Sequence, residues 1–182
     1  MPTKYFATAD WHLDHNSQRG GIIEYCKRPF ASVKEMNREI IDRYNDTVDE
    51  NSVIFDLGDV SMIGPSRVQY YEALVKELRP VKARHLILGN HDELKPQTYV
   101  NIGLYTTVHT FFWMDYANRT IAMAHDPAVY QPAIYDKLML CGHIHNLFKS
   151  VNVGAGLFNV GVDMRDFRPV SFETILEEER NL

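Results

Sequence analysis

Two cysteines in 182 residues, Cys26 and Cys141, are too few for a disulfide framework or a thiolate zinc site, and they predict reduced thiols. No run of about 18 apolar residues occurs. The opening Met1-Pro2-Thr3-Lys4-Tyr5 has no basic segment leading into an apolar one, so neither a membrane span nor a secretory leader is expected. Positive charge is scarce as well: 19 Lys and Arg face 24 Asp and Glu, a formal net charge of −5. That balance disfavours a general nucleic-acid or anionic-membrane binder that works through a basic surface. Repeats, linkers and low-complexity stretches are absent. Together these absences predict a soluble cytoplasmic protein, residues 1–182 forming a single domain, with no membrane partner and an oligomeric state that the sequence leaves open. What is present is an ordinary globular composition, 45% hydrophobic, 24% charged and 12% aromatic, which excludes a disordered chain.

Hydrophobic spacing divides the chain into alternating strands and helices. Lys4–Ala9 is a short β-prone run that stops at Asp10, and Ser52–Leu57 and Arg84–Leu88 are two more, ended by Gly58-Asp59 and Gly89. Between them, Val33, Met36, Ile40, Ile41, Tyr44 and Val48 fall at helical spacing behind a Ser32/Glu35 capping box, and Ser66–Leu78 is a second helix closed by Pro80. Such strand, loop, helix units imply parallel strands with crossover helices. The second half is richer in strands: Tyr105–Met114 and Arg119–His125 form a hairpin candidate through Asp115–Asn118. Lys137–Cys141, Phe148–Val153 and Asn159–Val162 follow, before a helix over about Ser171–Glu179. The fold class is α/β.

Five strand runs end in residues that ligate metals. They deliver Asp10-Trp11-His12, Gly58-Asp59, Gly89-Asn90-His91-Asp92, Ala124-His125-Asp126 and Gly142-His143-Ile144-His145, which hold five of the eight histidines. In open α/β sheets the carboxyl ends of the strands line one crevice, so side chains distant in sequence converge there. Asp, His and Asn without thiolate suit Mn²⁺, Fe, Zn²⁺ or Ni²⁺. Two such cations sharing a carboxylate could clamp a phosphate and activate a water. Asp-x-His and Gly-Asp are weak signals singly. From this composition chance would supply roughly 0.002 copies of Gly-Asn-His-Asp and roughly 0.02 of Gly-His-x-His, so the ordered set is specific.

In that order the motifs resemble those of the calcineurin-like metallophosphoesterases, over nearly the whole chain. The likeness is to a small phage and bacterial branch, through His15-Asn16, Arg28-Pro29-Phe30, and Asn159-Val160-Gly161-Val162-Asp163 followed by Arg168-Pro169-Val170. The resemblance implies a four-layer α/β/β/α sandwich of two mixed sheets, with a dinuclear site and Mn as the first choice of metal. Carried over by position, Asp10, His12 and His145 would hold one cation, Asn90, His125 and His143 the other, and Asp59 would bridge them. His91 would contact the phosphate or the leaving group, with Asp92 orienting its imidazole. A phage-encoded protein would work in the host cytoplasm. Asp14 departs from the branch, standing where a small residue is usual, and Asp56 adds a carboxyl close to the expected bridge.

Each residue also has a plainer reading. Asp10 and Asp59 could be turn residues after strands, Asn90 a cap, and His143 and His145 polar-face residues. His15 is a candidate for the substrate pocket or for loop packing. Arg28 is a candidate for binding substrate phosphate through its forked guanidinium, or for a helix pair with Glu24. His85 and His109 receive no role. The expected activity is hydrolysis of a phosphate ester by attack of a metal-bridging hydroxide, a phosphodiester being preferred because so short a chain leaves little room for a cap domain. The alternatives are a phosphomonoesterase acting on a nucleotide or phosphoprotein, a nuclease for which nucleic acid is the substrate, and a non-catalytic scaffold of the same fold.

Overall fold

The computed structural model describes residues 1–16, 20–129 and 137–182. Two five-stranded mixed sheets carry the fold. In the first, β1 (Lys4–Thr8), β2 (Ser52–Asp56), β3 (Ala83–Ile87) and β4 (Thr107–His109) run parallel in that order, and β10 (Val170–Ser171) adds antiparallel to β1. In the second, the parallel strands β6 (Arg119–Met123), β7 (Leu138–Cys141) and β9 (Leu157–Asn159) are flanked by antiparallel edges, β5 (Phe112–Tyr116) and β8 (Ser150–Val151). In-register pairing sets Thr8 opposite Asp56 and Asp56 opposite Leu86, so the loops after β1, β2 and β3 start at one level.

Four helices fall in the first part of the chain: α1 (Ile22–Cys26), α2 (Val33–Thr47), α3 (Val68–Glu77) and α4 (Pro96–Asn101). Ser32 caps α2 as expected, its hydroxyl accepting from the Glu35 amide at 3.2 Å, while the Glu35 carboxylate reaches back to the Ala31 amide at 2.8 Å. The stripe Met36, Ile40, Ile41 and Tyr44 is buried with Phe6, Ile54 and Leu86 of the first sheet. The opposite face of that sheet offers Ala7, Phe55 and Ile87 to Ile121, Leu140 and Phe158 of the second. The C-terminal helix α5 (Phe172–Glu179), capped by Ser171, adds Phe172, Ile175 and Leu176 to this inter-sheet core. Among the described residues no helix is long and apolar enough to cross a membrane.

Several boundaries differ from the spacing. The run Tyr105–Met114 is two strands in different sheets: β4 pairs with β3, and β5 pairs with β6. No glycine or proline marks the crossing at Thr110 and Phe111, so the β-prone run reads as continuous. The hairpin itself is present, turning at Ala117 and Asn118, both left-handed. β9 begins before the expected run and Val162 opens a 3-10 turn, Val162–Met164. The short elements α1, α4 and β10 carry too few residues to show a period.

Asp56, at the end of β2, is buried and accepts from the Tyr105 hydroxyl at 2.6 Å and the Gly58 amide at 3.1 Å. Burial pushes its pKa from 3.8 up to about 8, so it is a neutral acid at pH 7. Because the folded value lies above the unfolded one, its contribution is fully present below 3.8 and is lost as pH rises towards about 8. Asp56→Asn, already neutral, is expected to gain in Tm over the wild type progressively across that range. A constant Tm difference across it would show that Asp56 is ionised. Tyr105→Phe, which unpairs the carboxyl oxygen, should cost about 1–3 kcal/mol in denaturant unfolding.

Candidate metal centre

The loops after β1 and β2 continue the strand pairing past the sheet. Asp10 N donates to Gly58 O at 2.9 Å, His12 N to Asp59 O at 2.9 Å and Leu13 N to Val60 O at 3.0 Å, which places Asp10, His12 and Asp59 on adjoining ledges. From the second sheet, Gly142 N donates to His125 O at 2.9 Å, and Val162 N reaches Ala9 O at 3.0 Å, joining the two sheets at their carboxyl ends. The side chains are aimed by an uncommon backbone: Asp10, His12, Asp59, His143 and His145 all have φ between 46° and 70°. Left-handed backbone costs an L-residue energy, and such residues gather where function demands a direction. Two motif glycines make room. A Cβ on Gly89 would lie 2.2 Å from Asp59 Oδ1, and one on Gly142 2.9 Å from Asp10 Oδ2.

Two clusters result, Asp10 with His12 and His145, and Asp59 with His125 and His143, each with its ligand atoms within 4.8 Å of one another. Asp59 Oδ2 stands between them, 3.4 Å from His12 Nε2 and 3.3 Å from His125 Nε2. Asn90 Oδ1 lies 3.1 Å from His125 Nε2 and 3.0 Å from His143 Nδ1. All seven expected ligand positions are thereby brought together.

The donor set fits divalent cations. His12 is buried with neither ring nitrogen hydrogen-bonded, and burial lowers its pKa to about 3, leaving a neutral imidazole with an unused lone pair. Burial raises Asp10 to about 6, with the like charge of Asp59 adding to the effect. Burial also acts to raise Asp59, but the hydrogen bond and charge of His125 outweigh it and hold Asp59 at about 2. For His125, the Asp59 interaction overcomes desolvation and brings its pKa to about 9. A cation at these nitrogens takes the place of the proton.

The Nδ1 atoms of two cluster histidines are also engaged. His125 Nδ1 lies 2.6 Å from Leu57 O, and His145 Nδ1 lies 3.0 Å from Asp163 Oδ2, which leaves Nε2 of each ring for the cluster. In the sequence Asp163 stands only at the end of the Asn159–Asp163 run. Like Asp10 and Asp59 it is an Asp just beyond a strand end, and that was the available signal. Asn159 was missed too; its amide nitrogen donates to His145 O at 2.6 Å and Phe148 O at 3.0 Å, holding the histidine loop.

Arg28 corrects both of its expected roles. Its guanidinium is buried and all five N–H groups are spent: Nε and one NH2 proton on Asp163, the other NH2 proton on Asp10 O, and NH1 on Trp11 O and Met36 Sδ. No donor is left for a phosphate or for Glu24, whose carboxylate instead accepts from the Gly21 amide. Asp92 is a second correction. Its carboxylate accepts from Asp59 N at 2.9 Å, Gly89 N at 2.8 Å and Val60 N at 3.1 Å, and among the described residues no hydrogen bond joins it to the His91 ring. It ties the loop after β3 to the loop after β2. The His91 amide donates to Asp59 Oδ1 at 2.8 Å, and its ring lies 5.4 Å from that of His12. His15 is half-buried with its ring 5.2 Å from His12 and a buried, unpartnered Nδ1. Asp14 stands apart from the ligands, lining a groove of about 540 Å³ beside α2 and α3.

A family model described as calcineurin-like phosphoesterase matches residues 3–143. An uncharacterized protein of Methanocaldococcus jannaschii is 25% identical over 178 residues, covering 96% of this chain and 90% of its own. Among solved structures, a protein of unknown function from Aquifex aeolicus superposes with a TM-score of 0.71 at 18% identity, over 97% of this chain and 99% of that one. A novel archaeal phosphodiesterase gives 0.51 at 18% identity, over 87% and 84%. At these identities the two structures show a shared fold.

The buried Arg28–Asp163 pair can be separated experimentally from a substrate-binding role. Arg28→Met takes the guanidinium away from the buried Asp163, leaving it only His145, and should lower the unfolding free energy by about 3–5 kcal/mol in denaturant titrations. A variant of unchanged stability whose only defect was a raised KM would return Arg28 to the substrate.

Proposed function

The chain belongs to the calcineurin-like phosphoesterase family, and from that premise we propose that it is a dinuclear metal-dependent phosphodiesterase. The observation that carries this reading is the placement of one carboxylate oxygen, Asp59 Oδ2, between His12 of one His/Asp cluster and His125 of the other. Asp10, His12 and His145 would hold one cation, Asn90, His125 and His143 the second, and Asp59 both. When bound, a pair of divalent cations supplies charge neutralisation for the phosphate oxygens and an activated water. Mn²⁺ is the first candidate, with Fe, Zn²⁺ and Ni²⁺ as alternatives from the same oxygen and imidazole chemistry.

The chain's own residues supply the rest. Asp59 Oδ1 accepts the His91 amide, so the residue next to the ligand Asn90 is pinned at the edge of the cleft, where its imidazole can give a proton to the departing oxygen. His15, half-buried with its ring 5.2 Å from that of His12, is the candidate to meet the substrate beside the cluster. Asp92 acts by positioning, through the backbone amides that it clamps. Two observations favour a diester over a dianionic monoester. Arg28 is fully engaged, and the cavity of about 320 Å³ beside Asn90, His125 and His143 has no lysine or arginine among the described residues that line it. The likeness of fold to an archaeal phosphodiesterase agrees with this choice. A non-catalytic scaffold has less support, since relatives of that kind typically lose ligands and here every position is filled.

Metal analysis after saturation with Mn²⁺ should give two ions per chain, and a value that never passes one would sink the dinuclear assignment. Asp59→Asn should lose more metal than Asn90→Ala, because a bridging carboxylate offsets charge on both cations while a neutral amide is one weak ligand. Equal losses would argue against the bridge.

His91→Ala should keep both metals and lose roughly 10² to 10⁴ in kcat. The loss should be smallest on an ester with an acidic phenol leaving group and largest on an alkyl or ribose one. The same loss on both would mean that His91 stabilises phosphate charge and gives up no proton. Loss of metal would place it among the ligands.

A further inference from the structure

Large apolar side chains are exposed at only six places among the described residues, and two of these, Met1 and Leu182, are chain ends. Two of the remaining four, Tyr25 and Val129, border the metal cleft, and a third, Leu147, stands close to it in sequence. Tyr25 is 79% exposed with its ring 6.0 Å from that of His145, at 76°. Leu147, 76% exposed, follows His145 by two residues. Val129, 44% exposed, lines the cavity shared with His125 and His143. Scattered exposed apolar residues are ordinary; their collection around a polar cleft marks a site that meets an apolar group.

Tyr25 is held at this place by its surroundings. On α1, Ile22 and Cys26 are buried and Tyr25 points outward. The helix starts hard against the ligand loop, since a Cβ on Gly21 would lie 2.3 Å from His15 O. It ends with Lys27 in the left-handed region, and the Cys26 carbonyl accepts from Asn146 Nδ2 at 3.1 Å, so α1 is tied directly to the loop that carries His145. A ring carried on a helix anchored in this way keeps a face open beside His145.

We propose that Tyr25 is a specificity-determining ledge that takes a planar aromatic ring of the ester, whether an aryl group or a nucleobase. The inference rests on the phosphoesterase reading for the position of the phosphate, and the ring preference is its own claim. Stacking of a base on an aromatic side chain corresponds to on the order of tenfold in affinity.

The test uses the Mn²⁺-loaded protein and measures binding of two pairs: phenylphosphonate against methylphosphonate, and adenosine 5′-monophosphate against ribose 5-phosphate. Wild type should favour the aromatic member by about tenfold. Tyr25→Ala should abolish the preference and Tyr25→Phe should keep it. Preference in both pairs identifies any aromatic ring as the ligand, and preference in the nucleotide pair alone identifies a base. Equal binding within both pairs by the wild type, or a preference that survives in Tyr25→Ala, overturns the ledge. Turnover of bis(4-nitrophenyl) phosphate separates the two readings. A wild type that shows ring preference without turnover sinks the phosphodiesterase and keeps the ledge, whereas turnover without preference does the reverse. Where both hold, Tyr25→Ala should raise KM about tenfold with kcat little changed, since stacking acts on binding and not on the departing oxygen.

Discussion

Two carboxylates buried side by side at the ends of neighbouring parallel strands set the terms for everything around them. Asp10 and Asp59 are almost wholly removed from water, and a buried charge without a partner is among the most costly things a fold can contain. Asp10 is met by the His143 amide at both of its oxygens, and Asp59 by the His91 amide and by two imidazoles. These partners arrive from both sheets, so the crossing of the chain from β4 to β5 is what completes the site. The inter-sheet core has to be formed for the ligands to meet.

A second layer keeps the first in direction. Arg28 draws the carbonyls of Asp10 and Trp11 and the carboxylate of Asp163 to one buried guanidinium, and Asp163 in turn holds His145. One arginine thus fixes the backbone within the first motif and, through Asp163, orients a histidine 117 residues further along. Asp92 does the same for the loops after β2 and β3. The Gly-Asn-His-Asp motif is therefore mixed in purpose: the Gly allows a close approach to Asp59, the Asn side chain meets His125 and His143, the His amide holds Asp59 and the Asp holds backbone.

The clustering of the candidate residues was legible because metal chemistry restricts residue type and the strand ends restrict place, so Asp10, His12, Asp59, Asn90, His125, His143 and His145 stand out in one dimension. The parallel half of the first sheet was legible because apolar runs and a capped helix announce themselves by period. What failed to show was decided by partners far away in sequence. Arg28 reads as a surface residue until Asp163 is brought to it, and Asp92 reads as a partner of its neighbour His91 until the amides of residues 59, 60 and 89 surround it. The break at Thr110 and Phe111 was invisible for a similar reason, since which sheet a β-prone run joins depends on the strand beside it and not on its own composition.

The strained backbone closes the connection between stability and activity. Five residues of the clusters in the left-handed region, at about 1 kcal/mol or more each, cost an amount comparable with the net stability of an ordinary domain. Asp and His tolerate this conformation better than most residues, which lowers the sum without removing it. Cations that bound only the folded arrangement would offset the strain by mass action and neutralise the carboxylates at the same time. The geometry that would be wasteful in a scaffold is thus consistent with a centre meant to be filled. The same loops can hold an unfavourable shape because Arg28, Asp92 and Asn159, none of which touches the cleft, fix their backbones from behind.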